Sequence, residues 1–413
     1  MISQHIADVF HESNEIKQIL GDLDHKESVR VAGVNGSAAA FVLYSLFSRG
    51  QKKCFCVVEN DHDAKQLFED IIQLVDENRV CYFPALKKQI WNEVGPSATE
   101  VGRRILALKS IIKQSTDFVI TNSDALLEKI ASPEDVELYS LHLQNDDELD
   151  FELFKAQLVE MGFNREERVE SPGEFSVRGG LVDVFLYEED HPIRIEFFGN
   201  QIESIRQFDV ETQRSIGQLN VIHILPLGCA GPYSALEDRT LVDLAYKSTL
   251  FDYLDSHYLL TLFNEPLILR QMEDYEREIQ VRFETLNNDN GLESLNWHTF
   301  FQPAAYFEQQ FQRRQRLYVD PIRSEAQDTI QLPILQNAHF GGNLKLFRSE
   351  IKSQKNATIY LACDSDSQTQ RIRELLAQEG YPQTVHIVTL NLSAGFSWPE
   401  KQLFLYTSRE LYS

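Results

Sequence analysis

Four short apolar runs in the first 122 residues, each separated from the next by helical patterning, restrict this chain to very few architectures. They are SVRVAGV (28–34), KCFCVVEN (53–60), RVCYFP (79–84) and DFVITN (117–122). Helices are expected from the phosphate-loop region to about Phe47, from about Asp61, over about Ala98–Ile112, and after Ser123. Strands that alternate with helices are joined by crossovers, which lays them parallel and covers both faces of their sheet. The fold class is therefore α/β.

From about residue 140 the pattern changes to closely spaced short strands. FSVRGGLVDVFLY, HPIRIEFF and QIESIRQFD follow one another, with Gly199 and Asn200 as a two-residue hairpin turn between the last two. A small, mostly antiparallel sheet is expected, inserted over residues 141–228. Beyond it the chain becomes mixed again. LLTLF (259–263) reads as a buried strand, RQMEDYEREIQVRFETL as a long helix, and LNNDNG (286–291) as a loop. Asp320 to about Gly342 reads as an interdomain linker, and the remainder, with TIYLAC, a helix over about Ser367–Glu379, VHIVTL and QLFLYTS, as a small C-terminal α/β unit. The expected division is 1–140 and 229–330 for the two parts of the large α/β domain, 141–228 for the insertion, and 331–413 for linker and small domain.

The turn after the first strand lies where a phosphate loop would lie. The working motif G-x-x-x-x-G-K-[ST] supplies glycine amides to the phosphates, a lysine to the β and γ phosphates and a hydroxyl to magnesium. Gly33, Val34, Asn35, Gly36 and Ser37 are followed by Ala38, Ala39 and Ala40, so the cation and the metal-holding hydroxyl are missing. The acidic pair of an intact site is reduced to Glu265, just past LLTLF. These residues suit a vestigial site (Gly33, Gly36, Ser37, Ala38, Ala39, Ala40) and an ordinary strand-to-helix loop equally. Under either reading no cofactor is expected.

Charge points the same way. With 39 Lys and Arg against 63 Asp and Glu, the 413 residues carry a formal charge of −24. Affinity for nucleic acid is built from phosphate neutralisation, so the chain is expected to bind DNA poorly by itself. The five cysteines are scattered and read as buried reduced thiols. No apolar run reaches membrane-spanning length and the N-terminus lacks a basic segment followed by an apolar core, so a cytoplasmic location is expected. His223, Trp91 and the other scattered His and Trp residues form no metal-ligand spacing or nucleophile triad, and read as core or surface residues.

The run RVESPGEFSVRGGLVDVFLYEEDHPIRIEFFGNQIESIRQFDVETQRS (168–215) closely resembles the bacterial transcription-repair coupling factors (Mfd), in the module they share with the excinuclease component UvrB. PGEFSVRGG, RIEFFG and FDVETQRS carry the resemblance, and GPSATEVGRRILAL (95–108) supports it. It implies a degenerate P-loop, helicase-like parallel-sheet domain without catalysis, whose inserted β domain binds the damage-recognition ATPase UvrA. It implies also that RNA polymerase and DNA are engaged by domains C-terminal to this sequence, in a longer protein whose motor lies there.

Within that region, strand alternation places Ile193, Ile195 and Phe197 on a core face and Arg194, Glu196 and Phe198 opposite, with Arg178 on the outer face of the neighbouring strand. Residues 161–215 contain six Arg and no Lys. Arginine beside an exposed aromatic is the composition of interface hot spots, although solvated surface ion pairs would use the same residues. The resemblance assigns Arg178, Arg194 and Phe198 to the UvrA-binding surface, and Glu196 shares their face. Gly179 and Gly180 suit a bulge or a plain turn. Two other functions stay open: a DNA-dependent ATPase or helicase of the UvrB type with an atypical nucleotide site, and a structural pseudo-helicase domain with another partner.

Overall fold

A computed structural model describes residues 2–86, 97–230, 246–290, 296–324, 326–354, 357–378 and 385–412. The strands in chain order are β1 Ser28–Ala32, β2 Lys53–Val58, β3 Val80–Phe83, β4 Phe118–Asn122, β5 Leu141–Gln144, β6 Asn164–Arg165, β7 Glu174–Arg178, β8 Leu181–Val184, β9 Ile193–Phe198 and β10 Gln201–Phe208. They continue with β11 Ser215–Leu219, β12 Val221–Ile224, β13 Tyr258–Phe263, β14 Arg316–Asp320, β15 Thr329–Gln331, β16 Thr358–Cys363, β17 Val385–Thr389, β18 Phe396–Trp398 and β19 Leu403–Thr407.

Seven strands form one parallel sheet in the order β15-β1-β14-β13-β2-β4-β3. The insertion therefore interrupts a single sheet, whose central strands come from both sides of it. The period of two buries both faces. In β2, Cys54, Cys56 and Val58 pack with Leu67 and Ile71 of the helix Asp61–Ile71, while Phe55 and Val57 pack on the opposite side with Ile105 and Leu108 of the helix Ala98–Ile112. The helix Ala98–Ile112 starts where Ser97 accepts a hydrogen bond from the Glu100 amide at 3.2 Å, a side-chain N-cap that satisfies one of its free donors. All five cysteines are buried and free.

The insertion is a six-stranded sheet, β11-β10-β9-β8-β7-β6, antiparallel except for β6 against β7. Its inner face, including Val182, Ile193, Ile195, Phe197 and Ile205, packs on Phe154 and Leu158 of the helix Phe151–Glu160 and is continuous with the core under the parallel sheet. The strands that enter and leave it, β5 and β12, pair with each other as a two-stranded antiparallel root. Gly179 and Gly180 form the two-residue turn between β7 and β8, since Arg178 and Leu181 are directly paired across it, so the bulge alternative falls. Gly179 has φ +61°, a conformation that turn requires and a Cβ opposes.

Two expectations fail. The segment Asp320–Gly342 is not a plain linker, because Thr329–Gln331 adds an edge strand beside β1 and Leu332 and Ile334 are buried behind it. LNNDNG is not a loop as far as the structure describes it: the helix Glu265–Asn290 runs through residues 286–290, and Gly291 lies outside the described residues. The C-terminal unit is a four-stranded sheet, β17-β16-β19-β18. Its Trp398 and Phe396 pack on Phe10 and Phe41 of the large domain, with Phe10 and Trp398 ring centroids 5.0 Å apart, so the two share one core.

Candidate functional site

The loop after β1 occupies the C-terminal edge of the parallel sheet, where α/β folds bind ligands. Here three of its amide donors are already used. The amides of Gly33 and Val34 both donate to the Asp320 carbonyl, at 2.9 and 3.2 Å, and the amide of Ser37 donates to the Ala394 carbonyl at 3.3 Å. In return the Ala394 amide donates to Ser37 Oγ at 3.2 Å. The segment that makes these contacts joins β17 to β18 in the C-terminal unit. Its Ser393 donates from its amide and its hydroxyl to the two oxygens of Asp70, at 2.6 and 2.7 Å. Gly36, at φ +57°, sits so close that a Cβ there would run into the Gly395 carbonyl oxygen.

The space that remains is a cavity of ≈ 300 Å³ lined in part by Glu59, Asp63 and Asp70, with no Lys or Arg among its described lining residues. Burial raises the Asp70 carboxyl to about 6, against the opposing hydrogen bonds from Ser393 and Ser37. Ala39 lines this cavity, whereas Ala38 and Ala40 are buried in the helix Ala38–Gly50. Glu265 is not free either. It takes Arg30 at 3.0 Å while Asp320 takes the same guanidinium at 2.7 Å, and Arg30 lies over the Tyr318 ring.

The outer face of the inserted sheet is organised differently. Register places Ser176, Asp183, Arg194, Arg206 and Gln218 in one row across β7 to β11, and Arg178, Leu181, Glu196 and Ser204 in the next. Asp183, whose side chain is only 3% exposed, is the hub. It accepts Arg194 through both oxygens at 2.7 and 2.8 Å and Arg178 at 2.7 Å. Arg194 also donates to Gln213 at 2.9 Å and covers the Phe208 ring, which leaves its side chain 11% exposed. Of the two readings of Arg194, interface group or ion pair, the structure shows an ion pair with a buried carboxylate of the adjacent strand. Arg178 keeps 42% exposure, and Glu196 accepts Arg206 at 3.0 Å and Ser204 at 3.1 Å. Phe198, at the end of β9 beside the Gly199 turn, is 75% exposed.

Alternation thus brings Arg178, Arg194 and Glu196 onto one face, the arginines on Asp183 and Glu196 on Arg206, with Phe198 at the end of the strand that carries Arg194 and Glu196. Sequence reading missed Asp183, although LVDV places an acid opposite Arg194 and within reach of Arg178 on the other neighbouring strand. It also missed Ser393–Gly395, for which no local signal exists, and the meeting of His223 with His142 and Glu137. Trp91 lies outside the described residues.

Fold and insertion define an α/β protein whose parallel sheet carries an inserted, mostly antiparallel β module, and residues 141–228 match the family described as the UvrB interaction domain. Over nearly its whole length the chain is related to the N-terminal region of the bacterial transcription-repair-coupling factors. It is 24% identical to that of Staphylococcus epidermidis, covering 98% of this chain and 40% of the relative, and 24% identical to that of Bacillus subtilis, covering 97% and 40%. A Staphylococcus aureus relative is 22% identical over 96% of this chain. The chain spans about 40% of the length of these relatives. No helix among the described residues is long and apolar enough to cross a membrane.

Proposed function

We propose that this chain is a non-catalytic recruitment module of transcription-coupled nucleotide excision repair, and that the outer face of its inserted sheet binds UvrA. The observation that carries the reading is Phe198, an aromatic exposed at a strand end beside an ordered Arg–carboxylate network, within a segment that matches the UvrB interaction domain. Phe198 is the anchor, Arg178 and Glu196 offer the charges at its side, and Arg194 with Asp183 holds the surface in shape. An aromatic anchor of this kind is typically worth about 2 kcal/mol or more on truncation, or roughly thirtyfold in dissociation constant. Titration of UvrA into the wild-type chain and into Phe198→Ala tests it: equal affinities, or no binding by either, overturn the reading.

DNA contacts are assigned to other parts of a longer protein, because a net charge of −24 repels a phosphate backbone; RNA polymerase contacts are assigned there on the resemblance alone. A UvrB-type ATPase has no support in the phosphate loop, whose Gly33, Val34 and Ser37 amides are bonded to Asp320 and Ala394 and whose cavity is acidic.

A further inference from the structure

The two strands at the root of the insertion bring together a group of side chains that the proposed UvrA surface does not use. His142 of β5 and His223 of β12 are directly paired across the ladder, and their rings stack with centroids 3.9 Å apart. Glu137, on the helix Pro133–Tyr139 just before β5, reaches over so that its Oε1 lies 3.6 Å from His142 Nε2. One ligand atom from each of the three falls within 4.8 Å of the others. His223 is only 6% exposed, and neither of its ring nitrogens has a hydrogen-bond partner among the described residues. A buried imidazole with two unmet nitrogens costs free energy unless a ligand uses one of them.

We propose that Glu137, His142 and His223 form a binding site for a divalent transition-metal ion, of which Zn²⁺ is the best fit. Two imidazole nitrogens and one carboxylate oxygen are a borderline ligand set that suits zinc at distances of about 2.0–2.2 Å, with water in the fourth position. His142 and Glu137, the two ligands that would have to move toward His223, both have exposed side chains. Burial, with the nearby charges of His142, Lys109 and Lys113, disfavours protonation of His223. Lys109 is itself neutralised by Glu188 at 2.7 Å. The ion would tie the strands entering and leaving the insertion to a helix outside it.

The test is a calorimetric titration of Zn²⁺ into the chelator-treated full chain at neutral pH, repeated with Co²⁺ to read its tetrahedral visible absorption. One ion per chain is expected. His142→Ala and Glu137→Gln, both at exposed positions that leave the fold intact, should each weaken it at least about tenfold, as should His223→Gln. Absence of binding, or binding that survives His142→Ala and Glu137→Gln unchanged because it belongs to carboxylates elsewhere, overturns the proposal.

Discussion

At the edge of the parallel sheet, several polar groups that could greet a phosphate are bonded to the protein itself. Gly33, Val34 and Ser37 give their amides to carbonyls, Asp70 holds Ser393, and Arg30 holds Glu265 and Asp320. On the outer face of the inserted sheet the charged groups are likewise paired, but Phe198 is left in water. The parallel-sheet edge resembles a ligand site by topology, yet its cavity offers carboxylates and no Lys or Arg among the described lining residues. The inserted sheet has the composition of an ordinary solvated face, yet it retains an uncovered aromatic. What a surface can bind is decided by the groups its own fold leaves unsatisfied, and that contrast can be broken at four points.

The largest effect is expected at the face assignment. Phe197 is buried against Phe151 and Phe154, with centroids 5.1 and 5.6 Å away, whereas its neighbour Phe198 faces solvent. Phe197→Ala should cost about 3–5 kcal/mol in urea unfolding, and Phe198→Ala within about 0.5 kcal/mol. An inverted result would place the anchor on the wrong side of the sheet.

Next comes the hub. Asp183→Ala leaves Arg194 buried beside Arg178 with no carboxylate between them, a loss of about 3 kcal/mol expected in the same measurement. Arg194→Ala, which strands Asp183 with one partner, should also lower stability, and so should weaken UvrA binding by loosening the surface. If both variants unfold like the wild type, the network is decoration and the guanidinium is available to a partner after all.

These two predictions rest on features of unequal legibility. The period of two in HPIRIEFF was enough to sort Ile193, Ile195 and Phe197 from Arg194, Glu196 and Phe198, because strand geometry is local. Strand β15 was illegible: three residues among Pro and Gln carry no pattern, and only the open edge of β1 makes Thr329–Gln331 a strand. The helix through residues 286–290 overrode the turn chemistry of Asn and Asp, since it continues a helix already fixed by buried Ile279 and Phe283. The closed phosphate loop was beyond any local reading, as Ser37 and Ser393 stand 356 residues apart in the chain.

A smaller effect tests whether the C-terminal unit is held at the phosphate loop through Asp70. Its folded carboxyl lies near 6, above the ordinary 3.8, so the native state binds the extra proton between those values. Stability from this group is therefore present below about pH 4 and lost as pH rises through about 6. Relative to Asp70→Asn, the wild type should lose on the order of 2 kcal/mol between pH 4.5 and 7.5. Parallel pH profiles for the two proteins would mean that water, not Ser393, is the partner of Asp70.

The smallest expected effect bears most directly on the contrast. Wild-type protein titrated with Mg-ATP should show no binding, and Ala39→Lys should add little, even though it restores the cation at the position where the motif carries it. A lysine there enters a cavity with Glu59, Asp63 and Asp70, and pairs with those carboxylates before any phosphate arrives. The Gly33, Val34 and Ser37 amides meanwhile stay bonded to Asp320 and Ala394, and the Gly395 carbonyl remains against Gly36. A phosphate would have to displace the segment Ser393–Gly395, whose flanks are anchored by Leu392, Phe396 and Trp398 in the shared core. Low-micromolar Mg-ATP binding by Ala39→Lys would show that this segment yields easily. The sheet edge would then be one side chain short of a nucleotide site, and the difference between the two regions would lie in a single residue type rather than in how each is packed.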